Sequence, residues 1–187
     1  MNRWACAILA LVLLGLTACA RPPATVADLR MPETRHAGIA AVTTRLLVVD
    51  GDESQSPQGE KTAELLRRSG IVGSANYRYQ LAAPGKGRYK VRVDMFTDEA
   101  RAQANWQTRH MPEALAMTTP FAAGDEGWIY RDQMAGVRVG AVIVEIRAAD
   151  GAQGLPEFTR SYADFVRETL QRGGPGWWVR RRSGRGT

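Results

Sequence analysis

Cysteine is almost missing from this chain, with two in 187 residues, Cys6 and Cys19. A disulfide-dense scaffold is thereby excluded. Histidine is equally scarce, at two residues, His36 and His110. A zinc centre or a histidine-based triad needs partners that so few imidazoles and thiols do not supply. No metal and no cofactor is therefore expected. There is no Gly-x-Ser-x-Gly nucleophile elbow. Gly85-Lys86 lacks the upstream glycine and the following Ser/Thr of a phosphate loop, and residues 70–74 lack dinucleotide-binding spacing. The acidic run from Asp50 fails as a calcium loop. Gln55 stands where the turn needs glycine, and Lys61 where a bidentate Glu is needed. No apolar run reaches the ~20 residues of a comfortable membrane-spanning helix.

Hydrophobic residues make up 44% and charged residues 24%, values that suit a globular domain and exclude a wholly disordered chain. The formal charge of +6 is unevenly placed. Of 25 basic residues, Arg3 precedes Cys19 and five lie from Arg172 onwards, which leaves 19 against 19 acidic residues between. The folded part is formally neutral. A neutral domain with an Arg-rich end is a poor nucleic-acid-binding fold, so no nucleic acid is expected as partner.

The start reads Met1-Asn2-Arg3, then an apolar run over 4–16, then Thr17-Ala18-Cys19. A short basic segment before a short apolar one is the pattern of an export signal. Leu16-Thr17-Ala18-Cys19 resembles the lipobox of bacterial lipoproteins. The resemblance implies lipid transfer to the Cys19 thiol, palmitate acylation and cleavage before Cys19. Two or three acyl chains anchor stably where one does not. Residues 1–18 are then a lipoprotein signal peptide, and Cys6 is lost with it. Ala20 is not the Asp that resembles an inner-membrane retention signal. By that resemblance the protein sits on the outer membrane, facing the periplasm, if the cell is Gram-negative.

Residues 19–38 hold Pro22, Pro23 and Pro32 and few large apolar side chains, and they read as a lipidated flexible tether. The eighteen residues 21–38, extended, reach at most ~60 Å, enough to hold a domain clear of a lipid surface. Residues 39–172 form the single domain. Residues 39–49 fit either helix or strand, with a strand favoured over 46–49. A short helix is predicted over 60–69. Residues 77–81 and 88–96 alternate as a half-buried antiparallel hairpin. Thr97 caps a helix running to about His110, with Ala100, Ala104 and Met111 inward. Strands follow at 128–130, 137–139 and 142–146. Pro156 opens a last helix whose Phe158, Tyr162, Phe165, Val166 and Leu170 make a core-facing stripe. The fold class is α+β: an antiparallel sheet of about five strands, with helices on one face, including this amphipathic C-terminal helix. The order resembles small exported α+β domains of the PsbP/Mog1 kind, in topology only, and that resemblance transfers no function.

Two surfaces are candidates for contact. Strand alternation puts Arg78, Arg88, Lys90 and Arg92 on one side of the hairpin, a possible shallow site for an anionic ligand, with Asp94 and Glu145 as internal partners if the face is merely solvated. Residues 173–187 form a basic tail, expected to be disordered, with Trp177, Trp178, Arg180, Arg181 and Arg182. Indoles beside cations suit a membrane interface, so the tail could meet anionic lipid, lipopolysaccharide or a cell-wall polymer. The leading function is a non-enzymatic binding or accessory module of the cell envelope, held to a membrane by Cys19. The alternative is a secreted hydrolase using Asp and Glu, although nineteen scattered carboxylates choose no pair.

Overall fold

The computed structural model describes residues 24–48, 64–82, 87–110 and 118–172. The signal segment, Cys19, the acidic loop from Asp50 and the 173–187 tail lie outside the described residues. Seven strands form one antiparallel sheet: β1 (Ile39–Val48), β2 (Ile71–Leu81), β3 (Arg88–Phe96), β4 (Thr119–Pro120), β5 (Glu126–Tyr130), β6 (Met134–Val139) and β7 (Val142–Ala149). Their order in space is β1-β2-β3-β7-β6-β5-β4. Two longer helices complete the domain, α1 (Glu99–His110) and α2 (Leu155–Arg172), and residues 64–68 add a short helical stretch.

The α+β class stands, with seven strands in place of about five. The whole ambiguous stretch 39–48 is a strand, paired along β2 through Val42↔Tyr79 and Thr44↔Tyr77. The pair Thr119–Pro120 adds a short edge strand beside β5, too brief to leave a period-2 signal.

The helices lie on opposite faces, which corrects the expectation of one. Along β3, Tyr89, Val91, Val93 and Met95 join the main core, while Phe96 belongs to a second cluster. Along β7, Val142, Val144 and Ile146 face the main core and Ile143 the second. Successive strand residues point to opposite sides, so the clusters are the two faces. Helix α2 covers the first, with Phe158 stacked on Tyr89 at a ring separation of 4.1 Å. The predicted stripe of α2 is buried there through Phe158, Tyr162, Phe165 and Val166. Helix α1 covers one end of the second face through Ala102 and Trp106, beside Ile71, Phe96 and Ile143. Its inward residues are thus not Ala100 and Ala104, which are exposed. The cap is Asp98, whose Oδ1 accepts from the Arg101 backbone N–H at 2.8 Å, with Thr97 donating to Asp98. Gly136 lets the Trp128 indole lie flat on β6, because a Cβ there would stand 2.5 Å from the ring.

The tether reading fails from residue 24 onward. Ala24, Val26, Leu29 and Met31 are buried, Leu29 and Met31 to 0% exposure. This strap crosses the main-core face beside α2 in two short 3-10 turns, Val26–Leu29 and Glu33–Arg35. A 3-10 segment leaves backbone groups without ladder partners, and burying them unpaired is costly. Tyrosines satisfy them. The Tyr77 hydroxyl donates to the Val26 carbonyl at 2.7 Å, and the Tyr162 hydroxyl to the Leu29 carbonyl at 2.7 Å. The Met31 N–H donates to Tyr79 Oη at 3.0 Å. Val26 also packs on the bare Cα of Gly73, where a Cβ would stand 3.1 Å away. Beyond Met31, Arg35 pairs with Glu168 of α2, and His36 sits edge-on to Phe158.

Burial raises the pKa of Tyr77, Tyr79, Tyr89 and Tyr162 by disfavouring the phenolate, with Tyr79 pushed up to about 12. A phenol with a raised folded-state pKa stabilises fully below its unfolded value, about 10. That stability is lost as pH rises through the folded value. These four tyrosines should therefore give no phenolate absorbance until the chain unfolds, in one alkaline step coincident with loss of circular dichroism. Gradual ionisation near pH ~10 with the fold intact would contradict the buried clamp.

Arg138 ties the other side together. It is 6% exposed and donates from Nε to Glu126 at 2.9 Å, and from Nη1 to Glu99 at 3.2 Å and the Gly140 carbonyl at 3.2 Å. Asp125 lies 3.6 Å from the same guanidinium and accepts the Gly140 N–H at 2.6 Å. Burial disfavours the guanidinium charge, but the bonds it donates to Glu126 and Glu99 outweigh this and hold Arg138 protonated. One side chain thus joins the first turn of α1 to β5 and to the β6–β7 turn. Arg138→Met should cost about 2 kcal/mol, less than a fully buried pair because the carboxylates reach solvent. Arg138→Lys should recover only part, lacking the fork. An unchanged denaturation midpoint in Arg138→Met would contradict this role.

Candidate functional site

The face covered by α1 is covered only at the Phe96–Ile143 end. Over the rest of it, strand alternation presents polar residues. Thr43 of β1 is opposite Arg78 of β2, Arg78 is opposite Lys90 of β3, and Lys90 is opposite Arg147 of β7. Three cations therefore stand side by side on three neighbouring strands, about 4.8 Å apart in backbone spacing. The adjacent row reads Asn76, Arg92, Glu145. Together they line an open trough of about 540 Å³.

The four cations foreseen on this face divide. Arg92 turns along its own strand to Asp94, at 3.0 Å, and Asp94 also accepts from the Ser74 hydroxyl at 2.6 Å. Arg88 pairs with Asp150 at 2.5 Å and is outside the trough. Arg78 and Lys90 remain in the exposed row. Arg147, which sequence reading missed, completes it. The signal was present, since Val142, Val144 and Ile146 alternate with Ile143, Glu145 and Arg147, but the predicted strand stopped at residue 146. Among the described residues, no carboxylate lies within ion-pair distance of Arg78, Lys90 or Arg147. Trp177, Trp178, Arg180, Arg181 and Arg182, like Cys19, lie outside the described residues.

A larger groove, about 840 Å³, runs along the β4–β5 edge between Trp106, Phe121, Trp128 and Arg160 of α2. The Arg160 guanidinium lies over the Phe121 ring at 4.7 Å. A hydrolase needs two carboxylates facing each other across such a groove. Three carboxylates line it: Asp125 and Glu126 are held on Arg138, and Asp164 of α2 pairs with Arg167 at 3.2 Å. His36 is on the strap, against Phe158, where burial lowers its pKa and Glu157 partly opposes this. Among the described residues no three His, Cys, Asp or Glu side chains group as a metal site. No helix among them is long and apolar enough to cross a membrane. The arrangement is suited to holding a ligand by charge and hydrogen bonds. Compared with known proteins, the chain matches no protein-family model and no curated sequence.

Proposed function

We propose that the protein is a lipid-anchored component of the bacterial cell envelope, a binding or accessory module without catalytic activity. The observation that carries this reading is the lipobox-like Leu16-Thr17-Ala18-Cys19 after a short apolar run, and the fold adds that the link from Cys19 to the core is short. Only residues 20–23 separate Cys19 of the lipobox from Ala24, the first buried residue. Fully extended, that link reaches about 17 Å, against the ~60 Å of a tether running to residue 38. An acylated Cys19 would hold the domain close against the membrane, without a free leash.

The positions of the chain's two exits support the same picture. Val26 rests on Gly73, and Leu170 of α2 approaches Gly140. Gly73 and the β6–β7 turn lie at one end of the sheet, connected through Met95 and Val142. Residue 24 and residue 172 thus leave the domain at the same end. The lipid and the Arg/Trp tail would act on one surface, with outer-membrane lipid or lipopolysaccharide as the tail's partner. The carboxylate hydrolase has less support, because the groove's carboxylates Asp125, Glu126 and Asp164 are each paired with an arginine.

Cys19→Ser removes the acceptor thiol. Cells expressing it should incorporate no radiolabelled palmitate into this protein, and the protein should move from the membrane to the soluble fraction. A variant that still labels and still pellets with membranes would refute the anchor.

A further inference from the structure

We propose that the trough lined by Thr43, Asn76, Arg78, Lys90 and Arg147 binds an anionic saccharide chain, a sugar polymer bearing carboxylate or phosphate groups. The inference is independent of the lipid anchor. It starts from a cost the sheet carries. Like charges directly opposite on neighbouring strands are destabilising. Here two such pairs occur in succession, Arg78 with Lys90 and Lys90 with Arg147. The same face shows how such charge is neutralised elsewhere, since Arg88 has Asp150 and Arg92 has Asp94. The row has no carboxylate within ion-pair distance among the described residues, and it lines the trough together with the neighbouring Arg92 and Glu145, of which Arg92 is held by Asp94. An incoming anion would replace that repulsion with charge-assisted hydrogen bonds.

The shape and the neighbours of the row narrow the ligand. Three cations over three strands span about 10 Å of backbone spacing, more than one carboxylate or one phosphate group covers. The ligand therefore carries repeated anionic groups. On the β1–β2 side, the Thr43 hydroxyl and the Asn76 amide are exposed and both donate and accept, as sugar hydroxyls require. Stacking surfaces are missing. The rings of Tyr77 and Tyr89 belong to the opposite, buried face, so nucleobases have no platform on this one. Nor is the trough suited to lipid. Among the described residues the one exposed large hydrophobic side chain is Leu65, which does not line it. An acidic peptide added as a strand would need a sheet edge, and the row lies across the interior strands β2, β3 and β7.

The test is titration of the purified full chain with polygalacturonate, phosphorylated dextran, neutral dextran, a single-stranded oligonucleotide and sodium phosphate. It compares a triple variant, Arg78→Gln with Lys90→Gln and Arg147→Gln, against a charge-matched control, Arg101→Gln with Arg131→Gln and Arg160→Gln. Both keep the basic tail. The wild-type chain should bind one or both anionic polysaccharides and not neutral dextran, and the stronger of the two identifies carboxylate or phosphate as the group read. The trough variant should weaken that binding about tenfold or more, and the control by no more than about twofold, with the salt dependence reduced in the trough variant alone. Its melting temperature should stay level or rise, since repulsion is removed. Equal weakening in both variants, sodium phosphate competing as well as polymer at equal anion concentration, or tighter trough-dependent binding of the oligonucleotide would overturn the proposal. A melting temperature lower than wild type would also overturn it, by showing the row to be structural.

Discussion

The domain depends on how residues 24–31 are buried. A short 3-10 strap supplies Val26, Leu29 and Met31 to the core but brings backbone groups that no strand can pair. Tyr77 and Tyr79 on β2 and Tyr162 on α2 solve both parts of that problem. Their rings fill the space between sheet and helix, and their hydroxyls reach the strap's carbonyls of Val26 and Leu29 and its Met31 N–H. Each such bond adds about 1 kcal/mol net, and leaving its partner buried and unmet would cost more. The Tyr79 and Tyr162 rings also meet edge to face at 6.0 Å, so strap, sheet and helix are joined through one aromatic cluster. Aromatic contacts extend it, from Tyr79 to Phe158 and on to His36.

From this follows the division of the sheet into two unlike faces. Strap and α2 together cover the first, with the groove at the β4–β5 edge beside α2. The second is sealed only at one end, where α1 lies on Phe96 and Ile143 and Arg138 pins its first turn. What remains open over the β1–β2–β3–β7 part of that face is lined by hydrophilic strand positions, an environment suited to a charged ligand. The strap also bears on the proposed anchor, since only residues 20–23 would separate an acylated Cys19 from the core and the domain would stay near the membrane.

Much of the architecture is legible from local pattern. The alternation over 88–96, the aromatic stripe of α2 and the hairpin of β6 and β7 are signals carried by neighbouring residues, and they appear in the structure. The strap was not legible, for a physical reason. Its partners lie 48, 51 and 133 residues away, and three apolar residues among prolines show neither helical nor strand period. Residues 39–48 were ambiguous because Ile39, Val42 and Leu46 fit both periods, and only pairing with β2 decides. The inward side of α1 was misassigned because an Ala-rich helix gives a weak stripe, which Trp106 resolves once packed. At the candidate site, alternation placed Arg78 and Lys90 correctly. It could not show that Arg88 reaches Asp150 across a turn, nor that Arg147 extends the row, since that needs the β3–β7 register, a non-consecutive pairing.

The most direct measurement of this account compares two soluble chains, one beginning at residue 24 and one at residue 32. Burying Val26, Leu29 and Met31 is worth about 2 kcal/mol for each side chain, a large part of a stability of about 5–15 kcal/mol. The chain from residue 24 should melt cooperatively, and the chain from residue 32 at least about 10 °C lower or without a cooperative transition. Equal melting temperatures would show that residues 24–31 are only a tether, and the account of the tyrosine clamp would fall.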